Sequence, residues 1–408
     1  FSAFNNFTMS LWLSQFALSY VLISLFGNSR SLEGAVVGPI AGAWSDRTYL
    51  GWLGRRRPFV LVGGLGTAVL LALTPLAARA AVPGGWGLAS PVAALAPMLA
   101  VVFLFTLFFN VAEDAHKALL ADLTEGPART RLAALSAVAN IGGQAALLLL
   151  GFLAWSAGVP DGAFLVAAAL VAAGVVGAVL GVREPTPRAW EAVRPEVAGD
   201  VAPARESVVA LLRGYRGAAA LCLVTFLYWS GVNAVLPLVS IYTRDILGAT
   251  VGEAQLLPAL LLAATTAAAL PVGFLGERFG KRRVIAGGYV VMCLAALAGL
   301  VVTTKEQGAA VFLLAGLGNA AGVVLTVPLL ADMVPRHHMG KATGLLAAAG
   351  SVAAPLSSLV AGSLADHYGP RAIFAVMAVM VALALAALPA TLPPRRSTRP
   401  LAAALSAG

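Results

Sequence analysis

Twelve apolar stretches, separated by short polar segments, run through this 408-residue chain and constrain its fold more than any other feature. They lie at about 1–18, 20–45, 58–78, 95–121, 132–156, 162–182, 217–243, 253–276, 284–303, 309–331, 342–364 and 371–391. About 20 apolar residues in helical conformation cross the hydrocarbon of a bilayer. In lipid the backbone must satisfy its own hydrogen bonds, which leaves helices or a closed barrel, and the lengths here are those of helices. Composition agrees, because 11% of the residues are charged, against roughly 25% in soluble proteins. The sequence therefore predicts an all-α integral membrane protein with twelve transmembrane helices.

Residues 183–216 interrupt the apolar pattern with Pro185, Pro187, Pro195 and Pro203 among eleven charges. They read as a water-exposed linker, with Val208 to Tyr215 as a short interfacial helix. The expected organisation is a six-helix bundle at 1–183, a cytoplasmic linker at 184–216, a second six-helix bundle at 217–392 and a cytoplasmic tail at 393–408. The chain begins with Phe1 rather than Met, so a truncated N-terminus is expected.

The net charge of +9 would suggest nucleic acid for a soluble protein. With both termini and the linker in the cytoplasm, 21 of the 27 basic residues fall on that side, as the positive-inside rule requires. The excess charge then reports orientation, and no nucleic-acid partner is expected. Short loops and the lack of a large soluble region suit a bacterial inner membrane. Cys222 and Cys293 lie within apolar runs and read as small core residues. No metal or cofactor is expected.

The two halves repeat one another. Gly42-Ala43-Trp44-Ser45-Asp46-Arg47, ending in Gly54-Arg55-Arg56-Arg57, is echoed by Gly273-Phe274-Leu275-Gly276-Glu277-Arg278, ending in Gly280-Lys281-Arg282-Arg283. Leu119-Leu120-Ala121-Asp122 is echoed by Leu329-Leu330-Ala331-Asp332. Parallel six-helix repeats characterise one class of membrane carrier, with its binding site between the halves. The duplicated loops, comprising Gly42, Asp46, Arg47, Gly54, Arg55, Arg56 and Arg57 and then Glu277, Arg278, Lys281, Arg282 and Arg283, form a candidate cytoplasmic gate. A carboxylate at a helix end can engage a neighbouring helix N-terminus in one conformation and release it in another.

Gly38-Pro39-Ile40-Ala41-Gly42-Ala43-Trp44-Ser45-Asp46-Arg47, followed by Gly54-Arg55-Arg56-Arg57-Pro58-Phe59, resembles the signature loop of the major facilitator superfamily. Within it, Ser45-Asp46-Arg47 with the Gly-Arg-Arg-Arg-Pro-Phe run resembles the plant sucrose/proton symporters and their animal and bacterial relatives. The resemblance implies the major facilitator fold, two pseudo-symmetric six-helix bundles working by alternating access. It also implies a monomer that carries a small-molecule substrate, a sugar or glucoside, with protons.

Ionisable residues within apolar spans are the strongest functional signal, since each costs about 2.5–3.5 kcal/mol facing lipid. Glu113 lies ~16 Å along the helix from Thr124, near the middle of the hydrocarbon. Thr106, Asn110, Glu113 and Lys117 share one helical stripe, on which Glu113 and Lys117 can pair, and Asp114 adds a second acid. A carboxyl near another carboxyl and away from water binds protons more readily, which suits a carrier. Arg30 and Glu33 form a second expected pair at similar depth. Glu113, Asp114, Lys117, Glu33 and Arg30 are thus the candidate proton-coupling residues, although both pairs would equally serve as structural ties between helices. The second half offers neutral groups instead, so Asn110, Thr106, Tyr228, Trp229, Asn233 and Asn319 are the candidate substrate ligands, with Thr265, Thr266 and Ser351 nearby.

Aligning the symporters' Ala-Leu-Leu-Ala-Asp-Leu run on Ala118 to Leu123 puts their arginine at Lys117, their glutamine at Glu113, an asparagine at Asn110 and their proton-binding aspartate at Thr106. Either the proton site has moved two turns along the stripe to Glu113 or Asp114, or coupling follows another route. The expected function is secondary active transport, with proton-coupled sugar symport ahead of proton-driven efflux of a drug or organic ion. A transport-dead sensor or assembly subunit is a rival of another class. An enzyme is not expected, because no nucleophile, base and orienting group recur at a usable spacing.

Overall fold

The structure is a computed structural model that describes residues 3–16, 18–80, 91–123, 126–155, 158–182, 184, 212–335 and 338–391. Most of the expected linker and the whole 393–408 tail lie outside the described residues, as do the side chains of Asp46, Arg47, Asp122 and Arg131. The described chain is mostly helical, with no strand beyond an isolated Leu50–Gly54 bridge among the described residues.

In the first half, α1 covers residues 4–16 and α2 consists of two segments, Tyr20–Gly27 and Ser29–Arg47. They are followed by α3 (Arg57–Ala80), α4 (Pro91–Asp122), α5 (Gly126–Ala154) and α6 (Asp161–Gly181). In the second half, α7 also has two segments, Arg216–Val235 and Val239–Leu247, followed by α8 (Leu256–Phe279), α9 (Lys281–Val301) and α10 (Lys305–Ala331). α11 (Met339–Tyr368) and α12 (Ala372–Ala387) complete it. Among the described residues, nine stretches are long and apolar enough to cross a membrane by themselves. The exceptions are α1, the broken α2 and α5, whose apolar part is confined to Ala139–Ala154. Twelve crossings are consistent with this order.

The packing repeats as the sequence does. α3 packs on α4 and α6, and α2 on α4; correspondingly α9 packs on α10 and α12, and α8 on α10. The halves meet along α2 with α11 and α5 with α8, two contacts that interchange when each helix is replaced by its counterpart six places away. The duplicated loops also share a backbone device. Gly54 and Gly280 have φ of +79° and +92°, a region that costs a side chain-bearing residue steric energy.

The end of the bundle bearing these two loops is termed the basic end. Several hydrogen bonds between the halves lie in the membrane interior or toward the opposite end. Asp366, near the end of α11, accepts the backbone N–H groups of Tyr20 at 2.6 Å and Val21 at 3.3 Å, capping the first turn of α2. Arg244 donates to Ser14 Oγ at 2.9 Å. Asn28, at the break in α2, donates through Nδ2 to Ser358 Oγ at 2.7 Å and to the carbonyl of Asn233 at 3.1 Å. The break in α2 therefore coincides with a polar contact from one half to two helices of the other.

Candidate functional site

Between the halves lies a cavity of about 750 Å³. Its first-half wall carries the charges Arg30, Glu113 and Lys117 beside Asn28, Asn140 and Gln144. Its second-half wall is uncharged, with Trp229, Asn233, Thr265, Asn319 and Ser351 among apolar side chains. This is the expected division of charge between halves, assembled around one space.

The charged wall is built where α2 and α4 pack together. Glu113 holds Lys117 Nζ at 3.0 Å on its own helix and Arg30 Nη1 at 3.7 Å from α2, while Lys117 also lies 3.9 Å from Asp114. The expected Glu113–Lys117 pair is therefore present. The expected Arg30–Glu33 pair is corrected, because Arg30 reaches across to Glu113 and its guanidinium lies 5.5 Å from the centre of the Phe109 ring. Residues three apart on a helix lie on neighbouring but not identical faces. The face occupied by Glu33 turns instead into the α2–α4 interface.

There Glu33 is 5% exposed, and its Oε1 lies 2.6 Å from Thr106 Oγ1. Its Oε2 is buried without a hydrogen-bond partner. Thr106 Oγ1 also lies 2.8 Å from the carbonyl of Phe103. Asn110 donates to the carbonyl of Arg30 at 3.0 Å, tying the same two helices together. Thr106 and Asn110 thus sit behind the cavity wall as interhelical contacts, and neither lines the cavity.

The neutral wall is preorganised. The Tyr228 hydroxyl is hydrogen-bonded to Asn319 Oδ1, Asn319 donates to Thr265 Oγ1 at 3.1 Å, and Thr265 donates to the Gly316 carbonyl at 3.1 Å. Tyr228 stacks on Tyr289 with centroids 4.9 Å apart and meets Trp229 edge-on at 5.6 Å. Tyr228 is consequently a buried support for Asn319, whereas Trp229, Asn233 and Asn319 reach the cavity. Thr266 donates to the carbonyl of Leu262 and lies off the lining. The sequence reading missed Asn140 and Gln144 of α5, which face the cavity and share a 2.7 Å hydrogen bond. Two amides four apart in the otherwise apolar part of α5, Ala139–Ala154, were the available signal.

The candidate gate is divided. Gly42, Asp46 and Arg47 fall on the last turns of α2, and the side chains of Asp46 and Arg47 lie outside the described residues. In the first loop, the carboxylate of Glu184 accepts the backbone N–H groups of Arg55 at 2.7 Å, Arg56 at 2.9 Å and Arg57 at 2.7 Å. Arg56 donates to Ser45, and Arg57 to the carbonyls of Trp52 and Val179. In the second loop, Lys281 bridges to Asp332 at 2.6 Å and Arg278 lies over Phe279. Glu277 is exposed and Arg282 is half-buried at the start of α9. Arg283 borders a small apolar groove between α8, α9 and α10.

Residues 221–407 match the Major Facilitator Superfamily. The multidrug resistance protein MdtG of Salmonella choleraesuis is 32% identical over 165 residues, covering 38% of this chain and 39% of the relative. The match to that relative therefore spans about two fifths of its length. Among solved structures, a D-xylose-proton symporter superposes with a TM-score of 0.70 at 17% identity, covering 95% of this chain and 93% of the other. A mutant form of the nucleoside transporter NupG superposes with a TM-score of 0.69 at 13% identity, covering 96% of each chain. These likenesses are to transporters rather than enzymes. The second half of the chain is thus similar to the Major Facilitator Superfamily over residues 221–407, and the described chain has the fold of those transporters, the major facilitator fold.

Proposed function

We propose that the protein is a secondary active transporter that carries a small, neutral, hydroxyl-rich solute, a sugar or glucoside, together with protons by alternating access. The observation that carries this reading is the cavity between the halves, with a cluster of acids and bases on one wall and fixed amides, a hydroxyl and an indole on the other. Neutral polyols are recognised by such hydrogen-bonding groups beside an aromatic face, and the charged wall together with the α2–α4 interface behind it supplies protonatable groups for coupling. The basic loops would face the cytoplasm, following the positive-inside rule. Alternation would separate Asp366 from α2 and Asn28 from α7 and α11.

The test uses purified protein in proteoliposomes with an imposed inward proton gradient and a panel of labelled sugars that includes sucrose. The expected outcome is accumulation above equilibrium that collapses on adding a protonophore. No accumulation of any sugar overturns the symport reading.

A second reading, proton-driven efflux of a lipophilic cation or drug, is favoured by the local similarity to MdtG and by Phe7, Phe312 and Phe374 in the cavity lining. The two readings differ in sign. Substrate binding takes up a proton from a weakly buffered solution in the symporter and releases one in the exchanger.

A further inference from the structure

Thr106 has one hydroxyl hydrogen, yet its oxygen lies 2.6 Å from Glu33 Oε1 and 2.8 Å from the Phe103 carbonyl, both of which are acceptors if Glu33 is ionised. One hydrogen cannot serve both contacts at full strength. If Glu33 carries the proton, its O–H donates to Thr106, Thr106 donates to Phe103, and both short contacts are satisfied. Oε2 is then the carbonyl oxygen of a neutral acid. Left ionised, it would be a buried anionic oxygen with no donor, an arrangement that costs far more.

The surroundings support the same assignment. This part of α2 and α4 carries three carboxyls, Glu33, Glu113 and Asp114, and two cations, Arg30 and Lys117. One proton brings the group to neutrality. Glu113 is engaged by both cations and Asp114 by Lys117, whereas Glu33 makes its one hydrogen bond to Thr106. The remaining titratable group on this part of α4 is His116. Residues 4–16 of α1 contain no titratable group. On α11, which also packs against α2, the acid that meets α2 is Asp366, at the opposite end on Tyr20 and Val21.

We propose that Glu33, hydrogen-bonded to Thr106 between α2 and α4, is the proton-binding site of this protein and that Arg30 transmits its occupancy to the cavity. With the proton bound, Arg30 pairs with Glu113, the arrangement described here. When the proton leaves Glu33, its O–H bond breaks and the carboxylate gains a full negative charge about one turn from Arg30. The guanidinium then turns toward Glu33 and leaves Glu113 to Lys117. The 3.7 Å separation of Arg30 from Glu113 is long enough for this exchange to disrupt no tight bidentate pair. Because Arg30 and Glu113 line the cavity and Glu33 does not, proton and solute would occupy separate places joined by one side chain.

The role in coupling rests on the transport reading above, but the protonation does not, so infrared titration of the purified protein separates the two. The expected result is a carboxylic-acid C=O stretch that disappears as pH rises, is lost in Glu33→Gln, and persists in Glu113→Gln and Asp114→Asn. Retention of the band in Glu33→Gln, or its loss only in the Glu113 or Asp114 variant, overturns the site. Should Glu33→Gln not fold, Thr106→Val serves instead. Removal of the acceptor hydroxyl shifts the band to the frequency of a more weakly hydrogen-bonded acid, and an unshifted band overturns the assignment. In proteoliposomes that accumulate a sugar of the panel, Glu33→Gln lowers uphill accumulation at least tenfold while sparing counterflow, and undiminished accumulation removes Glu33 from coupling. A band lost in Glu33→Gln with no sugar uptake in wild type upholds the proton site and discards symport.

Discussion

The carboxylate of Glu184, just beyond α6, accepts the backbone N–H of Arg57 at the first turn of α3 with a separation of 2.7 Å. It also takes the N–H groups of Arg55 and Arg56, so one side chain satisfies three successive donors at and just before the helix start, where the first N–H groups have no intrahelical partner. The negative charge further favours the positive end of the α3 dipole. The arginine-rich loop is thereby held by its backbone, leaving its side chains to engage Ser45, Trp52 and Val179.

Glu184→Ala is expected to destabilise the protein by about 0.5–2 kcal/mol, the range for losing a helix cap. Glu184→Gln should fall between wild type and Ala, since the amide oxygen still accepts but carries no charge. Apparent melting temperatures in detergent check this order, and equal values for all three proteins would refute it.

Gly54→Ala should be more damaging than Gly280→Ala. Both residues have positive φ, which by itself costs an alanine on the order of 1 kcal/mol. A Cβ at Gly54 would in addition come within 2.8 Å of the Glu184 carboxyl, whereas one at Gly280 would meet nothing within 4 Å. Comparing the melting temperatures of the two variants is sufficient.

Lys281 and Asp332 form a partly exposed bridge at the corresponding place in the second half. Exposed pairs contribute at most about 1 kcal/mol and weaken with salt. A double-mutant cycle on Lys281→Met and Asp332→Asn should therefore give a coupling that shrinks as ionic strength rises. Its first-half counterparts are Arg55 and Asp122, whose place in the repeat the sequence supplies.

Asp366→Ala removes two acceptor contacts that close the end of the bundle opposite the basic loops. A loss of about 1.4 kcal/mol shifts a two-state equilibrium tenfold, so the variant should populate states open at that end. Thiol labelling of a cysteine placed at Ser358 in the Asp366→Ala background is expected to be faster than in its absence.

Tyr228→Phe should weaken solute binding without abolishing folding. It removes the hydroxyl that fixes Asn319, leaving the Asn319 oxygen short of a donor at a cost of about 1–3 kcal/mol. Asn319→Ala should weaken binding at least as much. Binding isotherms with a transported sugar test both, and affinities equal to wild type would exclude Asn319 from the site.

The sequence by itself determined that the chain is helical, that it belongs in a membrane, that its halves repeat, and that the charges in the interior of the apolar spans sit in the first half. The repeat is written in the echoed motifs, and the other conclusions follow from a cost paid locally: unsatisfied backbone and bare charge are intolerable in hydrocarbon wherever the rest of the chain lies. Partners were another matter. Arg30 and Glu33 look paired on α2, but helix packing turned one toward Glu113 and the other toward Thr106. Asn140 and Gln144 became cavity residues, and Tyr228 a support behind Asn319, through the angles at which α5 and α7 face the centre. The capping of α3 by Glu184 joins residues more than 120 positions apart. Periodicity along one helix fixes which side chains share a face, whereas only the packing of helices decides what that face meets.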